Sequence, residues 1–210
     1  CLNEIVNVVS EKGVAVYFQP VVSLRLKSVI GFEALSRGNA SDGESYVSTS
    51  CLFNEGLPPH AKFKVEQLCL NTILDSYHSI YEKHLKKKLF LNVKCELYCL
   101  EKYMDKTPVK MVHEHEFNPN IIVFEFDSHQ LRKDIPWNLM ASCIDMGFKI
   151  SIDNWNPNLI FNEHIFRINP DFVKLDRRFF AGIDSSDNIK RAVASAAVIF
   201  RQIGAVPIVK

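Results

Sequence analysis

No stretch of the sequence approaches the roughly 20 consecutive apolar residues that a membrane-crossing helix requires, and no amino-terminal segment has the form of a signal peptide. An excess of one charge is also missing: 25 basic residues face 24 acidic ones, for a net charge of +1. No global field therefore draws the chain to DNA or to a membrane surface. Cysteine pairs at metal-binding spacing are absent. Cys1, Cys51, Cys69, Cys95, Cys99 and Cys143 contain no CxxC, and Cys95 with Cys99 has no matching second pair, which argues against a structural zinc site. Several of these cysteines sit in apolar runs, where a free thiol behaves as a small hydrophobe, so a reducing compartment, the cytoplasm, is expected. Repeats, low-complexity segments and linkers are lacking too, so residues 1–210 read as a single domain. Cys1 stands where Met would open a full-length protein, which reads as a piece cut from a longer chain.

What is present is ordinary globular material, 47% hydrophobic and 23% charged, enough for one sizeable core. Strand-like apolar runs recur at Val16–Val22, Val29–Leu35, Leu89–Val93, Ile121–Phe126, Phe148–Ile152, Phe172–Leu175 and Val206–Val209. Helical patterns lie between them. Over Lys64–Lys83, Val65, Leu68, Cys69, Ile73 and Tyr77 recur at three- and four-residue spacing. Trp137–Met146 is bounded by Pro136 and Gly147, and Asp187–Ile203 has Asp187 as candidate N-cap and Gly204 at its end. Strands alternating with such helices predict βαβ units, a largely parallel sheet, and an α/β fold of the (β/α)-barrel kind. Such barrels usually need about 250 residues and at least about 200. Seven strands precede Lys210, so the barrel is expected to lack its last strand and helix and to leave an open sheet edge for a partner to cover.

The strand ends carry the chemistry. Glu33 follows Ile30-Gly31-Phe32, Asn92 follows Leu89-Phe90-Leu91, and Glu125 follows Ile121–Phe124. Asp153 follows Ile150-Ser151-Ile152, and Lys174 interrupts Phe172–Leu175. A lone buried carboxylate costs several kcal/mol unless something compensates it. In a parallel barrel the carboxyl ends of the strands converge on one face, where that architecture builds its sites. Three carboxylates, an amide oxygen and a lysine on one rim make a hard-oxygen site suited to Mg²⁺ or Mn²⁺.

These residues resemble a known family. Phe32-Glu33-Ala34-Leu35-Ser36-Arg37 resembles the EAL signature, and Tyr17-Phe18-Gln19-Pro20 the strand before it. Leu91-Asn92-Val93 is similar to the family's LNV segment, Phe124-Glu125 to the start of ExTE, Ser151-Ile152-Asp153 to the start of DDFG, and Phe172–Asp176 to VKLD. Six segments in order form a strong signal. The resemblance implies a (β/α)₈ barrel and hydrolysis of cyclic di-GMP to pGpG by two metal ions about 3.5–4 Å apart. It implies metal-ligand roles for Glu33, Asn92, Glu125 and Asp153, with Lys174 and Glu33 catalytic. It further implies ligand contacts at Gln19, Leu35, Arg37, Asn92 and Asp153, Arg37 meeting a phosphate in paired hydrogen bonds.

The sequence also departs from the family. Asn154 replaces the second aspartate of DDFG, and Ser128 stands where the second glutamate of ExTE anchors the following loop. Trp155-Asn156-Pro157-Asn158 lacks the usual glycine, and Pro157 restricts that loop. Counted from Gly204, Lys210 falls on a further metal-site glutamate, where an ammonium would repel cations. A 10³-fold loss of rate needs only ~4 kcal/mol. The expectation is a degenerate EAL domain, with one metal ion or none, that binds cyclic di-GMP or a protein partner (a homodimer included) with little or no hydrolysis. The alternatives are an active phosphodiesterase and a nucleotide-free interaction module.

Other features have blander readings. His113-Glu114-His115-Glu116 lacks the helical i, i+4 histidine pair of a metal site and reads as a solvated loop. Lys86-Lys87-Lys88 reads as a solvated helix end. His129 and His164 are expected near the polar face in packing roles. Trp155 is left between stacking on a guanine and a protein interface.

Overall fold

The computed structural model describes residues 5, 8–11, 13–40, 45–84, 87–100, 103, 107–132, 136–156 and 167–209. The expected apolar runs all form strands: β1 (Val14–Ser23), β2 (Ser28–Asn39), β4 (Lys88–Val93), β5 (Ile122–Asp127), β6 (Lys149–Trp155), β7 (Phe172–Leu175) and β8 (Val206–Val209), with a two-residue β3 (Tyr46–Val47) on the side of β2. The order is β1-β2-β4-β5-β6-β7-β8. From β2 to β8 every pairing along this path is parallel, while β1 and β2 form an antiparallel hairpin. Among the described residues β1 and β8 are the two edges of the curled sheet. This is the open (β/α) barrel that the strand count predicts.

Helices α1 (Thr49–Leu52), α2 (Pro59–His84), α3 (Cys95–Tyr98), α4 (Pro108–Glu114), α5 (Trp137–Asp145), α6 (Arg177–Phe180) and α7 (Asp187–Gln202) connect the strands. Pro136 and Gly147 bound α5 as expected; the glycine takes a left-handed φ of 80° that an L side chain resists. The N-cap of α7 is Ser186, whose side chain accepts from the Ile189 N–H, rather than Asp187. Both residue types cap well, and the backbone turns one residue earlier than the acidic residue implied.

The core divides by sheet face. Outside the curl, Leu89, Leu91, Ile122, Phe124, Ile150, Ile152 and Val173 pack against the helices. Inside it, Val21, Phe90, Val123 and Phe172 meet, with Ile30 and Ile208 against them. Side chains alternate along a strand, so two positions beyond Phe90, Val123 and Phe172 come Asn92, Glu125 and Lys174 on the same inner face. The apolar cluster is the floor of the polar rim.

No helix among the described residues is long and apolar enough to cross a membrane. Cys69 and Cys143 are buried free thiols whose ionisation is pushed up to about 12 by desolvation, the inert behaviour expected of buried cysteine. Cys51 departs from that expectation: it is disulfide-bonded.

Gly31 marks a close approach between strands. A Cβ there would lie 2.5 Å from the Lys88 carbonyl oxygen and 2.9 Å from Phe90 Cε2, at the first step of the β2–β4 pairing. Gly31→Ala is therefore expected to lower stability by about 1–3 kcal/mol, the usual cost of overpacking. Urea unfolding of the variant against wild type measures it, and an unchanged midpoint would contradict the close approach.

Candidate functional site at the carboxyl ends of the strands

The centre of the rim is an ammonium between two carboxylates. Lys174 Nζ lies 2.6 Å from Glu33 Oε2 and 2.6 and 2.8 Å from the two oxygens of Glu125. Lys174 and Glu125 are each only 1% exposed. The three residues come from β7, β2 and β5, so only closure of the sheet brings them together. Burial pushes the Glu125 carboxyl up to about 7, while the adjacent Lys174 charge works against that rise. Phe90 lies beneath, its ring centroid 5.2 Å from the ammonium.

Around this triad stand the other residues singled out from the sequence. Asn92 Nδ2 donates to Glu33 Oε1 at 3.4 Å. Asn92 and Glu125 are register partners, as are Gln19 and Glu33. Asp153 is buried on β6. Glu33, Leu35, Arg37, Asn92 and Asp153 all line one cavity of about 220 Å³. Gln19, Glu33 and Lys174 line a second of about 750 Å³ between β1 and β8. Glu33 belongs to both. Arg37 is held by neutral oxygens: its Nη1 donates to the Ser36 carbonyl at 2.8 Å and to Thr49 Oγ1 at 3.1 Å. All eight named residues thus gather on one face.

The altered positions form their own network. Asn154 Nδ2 donates to Asp127 Oδ2 at 2.7 Å, and Asp127 Oδ1 accepts from the His129 N–H at 2.7 Å. Ser128 Oγ donates to the Asn154 carbonyl at 2.9 Å, and its N–H to the Asp153 carbonyl at 3.0 Å. Asn154 adopts a left-handed φ of 55°, which asparagine tolerates better than most residues. An aspartate in its place would set a second carboxylate against Asp127. Pro157, Asn158, His164 and Lys210 lie outside the described residues.

Three readings of the sequence change here. Trp155 neither stacks in a ligand site nor faces a partner. It is 2% exposed and packs edge-on against Phe179 and Phe200, with centroids 5.8 and 4.7 Å away. Strict alternation from Ile152 would put it on the inner face with Asp153; the left-handed Asn154 and the register shift between Ile152 and Trp155 turn it outward instead, into the layer beneath α6 and α7. His113 and Glu114 end α4 rather than occupying a loop, and His115 Nε2 lies 3.3 Å from Asp75 Oδ1. Lys88 opens β4 rather than closing a helix, its ammonium donating to the Asn120 carbonyl at 3.1 Å.

Glu66 and Lys94 line the site, and the sequence reading missed both. Glu66, on α2 and only 6% exposed, lines the smaller cavity with Lys94. Its Oε1 accepts the Lys94 N–H at 3.2 Å, which fixes the chain just beyond Asn92. The signal was in the spacing, because residues 66, 70, 73 and 77 fall on one face of α2 and three of them are apolar.

A parallel barrel with carboxylates, an amide and a lysine gathered at its strand tips carries them on the face where that architecture builds its sites. The EAL domain family matches residues 2–210, and the chain belongs to that family. It is 24% identical over 197 residues to the uncharacterized EAL-domain containing protein YkuI of Bacillus subtilis, covering 90% of this chain and 46% of that protein. It is 18% identical over 181 residues to the probable cyclic di-GMP phosphodiesterase PdeB of Escherichia coli, covering 85% and 34%. The chain thus spans less than half the length of these relatives. In fold it is similar to the crystal structure of YkuI in complex with c-di-GMP and calcium (TM-score 0.77, 21% identity, 98% of this chain and 50% of that one). It is likewise similar to an EAL domain protein of Listeria monocytogenes (TM-score 0.81, 17% identity, 100% and 82%).

Glu66 has a pH signature. Burial pushes its carboxyl from 4.5 to about 7, with the Lys94 charge opposing. Between those values the folded chain holds a proton that the unfolded chain has lost, so stability falls as pH rises. Glu66→Gln keeps an acceptor for the Lys94 N–H and removes the ionisation. Its stability relative to wild type is expected to rise by up to about 3 kcal/mol between pH 4.5 and 7. Urea titrations across that range measure it; parallel pH profiles would contradict it.

Proposed function

We propose that this chain is a cyclic di-GMP-binding EAL domain with little or no hydrolytic activity. The observation that carries the second half is the Asn154–Asp127 hydrogen bond. The amide that stands in place of a second metal-binding carboxylate donates through its Nδ2 to Asp127 Oδ2, 2.7 Å away, which fixes its orientation and leaves only a neutral Oδ1 as a possible ligand. A neutral amide is a weaker ligand than a carboxylate for a hard divalent ion.

The remaining donors fit one ion. Glu33, Asn92 and Asp153 line the same cavity and offer oxygens of the kind that Mg²⁺, Mn²⁺ or Ca²⁺ prefers. Asn92 faces Glu33 through its amide, and a 180° turn of that amide would present its oxygen instead. Among the described residues, no group of three or more His, Cys, Asp or Glu is arranged to hold a metal ion, so such a site depends on Asn92. A bound ion would neutralise phosphate charge and polarise the phosphorus. Lys174 lies between Glu33 and Glu125 and offsets one of their two charges, so those carboxylates coexist without two ions between them.

Binding makes smaller demands. Among the described residues Arg37 has no carboxylate at ion-pair distance and offers a guanidinium to a phosphate. Leu35 lines the cavity beside it, and Gln19 stands opposite Glu33. The nucleotide is taken from family membership and from the c-di-GMP held by YkuI. The localisation that accompanies this reading is the cytoplasm, where such a nucleotide is met.

Calorimetry with cyclic di-GMP in Mg²⁺ is expected to show saturable binding that Arg37→Ala weakens about tenfold or more. Product analysis under the same conditions is expected to yield no linear dinucleotide. Absence of heat at high micromolar ligand would overturn the binding reading. Linear dinucleotide whose formation collapses in Glu33→Ala would instead establish a working phosphodiesterase.

A further inference from the structure

Arg37 is not the only free cation at the smaller cavity. Lys94, the residue after the β4 strand, lines the same wall system as Arg37, Asn92 and Asp153. Its ammonium lies 4.7 Å from the centroid of the Phe53 ring, which lines the cavity too. Among the described residues neither Lys94 nor Arg37 has a carboxylate within ion-pair distance. Lysine stems pack well on aromatic faces while the head stays polar, so Phe53 localises this charge at the cavity instead of letting it range through solvent. The backbone beneath it is pinned by Glu66 Oε1.

Arg37 and Lys94 bring two cations to the cavity wall. Lys174, between Glu33 and Glu125, offsets one of those two carboxylates. Glu66 is buried and pushed up to about 7, so near neutrality it carries about half a charge. A cyclic dinucleotide carries two phosphodiester groups, each a singly charged anion with two free oxygens. One guanidinium cannot answer both.

We infer that Lys94 is a second phosphate contact, which with Arg37 forms a two-cation clamp on the diester groups of the dinucleotide and allows binding without a metal ion. The inference rests on the proposed binding function and adds to it the residue that sets anion affinity. Arg37 supplies the directional, bidentate contact and Lys94 a point charge. The position lies two residues after Asn92, so one strand tip delivers both an oxygen donor for an ion and a cation for the phosphate.

The test is calorimetry of wild type, Lys94→Gln and Lys94→Arg with cyclic di-GMP, each in Mg²⁺ and in excess chelator, at two salt concentrations. Wild type is expected to bind in chelator. Lys94→Gln is expected to lose about tenfold in affinity there, and its affinity should depend less steeply on salt because one charge contact is gone. Lys94→Arg should recover most of the loss. Thermal melting of each variant separates lost binding from lost folding, with Lys94→Arg as the folded control should Lys94→Gln melt early. Wild type binding only in Mg²⁺, or Lys94→Gln binding as wild type does in chelator, would overturn the clamp and leave the proposed function standing. Absence of wild-type binding under both conditions would overturn that function and the clamp with it.

Discussion

The structure turns on a buried ammonium. Lys174 leaves β7 inside the curl of the sheet and reaches Glu33 on β2 and Glu125 on β5, all within 2.6–2.8 Å. Taking these three charges from water costs several kcal/mol each, and close pairing offsets that cost only while all three stay in place. Lys174 and Glu125 are 49 residues apart, and Lys174 and Glu33 141. The triad therefore constrains curvature as much as chemistry. A flatter sheet would leave two carboxylates and a lysine stranded above the Phe90–Phe172 floor, where burial without a partner is most costly.

From that centre the rim divides into two environments. On the β2–β4 side, Glu33, Asn92, Arg37, Lys94 and Glu66 surround a cavity with oxygen donors, cations and an aromatic ring. On the β5–β6 side, Asn154, Asp127, Ser128 and the His129 backbone bond one another. Those bonds tie two strand tips together. Asp127 and Asp153 are register partners on adjacent strands, so the Asn154 amide also keeps a third carboxylate away from them.

Much of this was legible in the residues. Polar groups ending strand-like runs announced a rim, because a parallel barrel gathers its strand ends and water does not tolerate stray buried carboxylates. What misled was side-chain direction. Trp155 was left between stacking on a guanine and a protein interface, whereas the left-handed Asn154 and the register shift in β6 turn it into the core against Phe200. Glu66 was absorbed into an amphipathic helix pattern, although a carboxylate on the apolar face was the anomaly. His113 and Glu114 read as loop because the periodic signal of α4 spans only Pro108–Glu114, too short to stand out.

The order of strands and helices, the barrel class and the five strand-end groups Glu33, Asn92, Glu125, Asp153 and Lys174 were readable from the residues alone, because hydrophobic period and strand-end polarity are local properties of the chain; Gln19, Leu35 and Arg37 came from the family resemblance. Which of those residues pair is a matter of the folded chain. Whether Lys174 faces Glu33 or solvent, whether Asn154 turns to Asp127 or to the cavity, and whether Glu66 and Lys94 join the site depend on sheet curvature and strand register. Those are set by packing between segments far apart in the chain, and no local pattern records them.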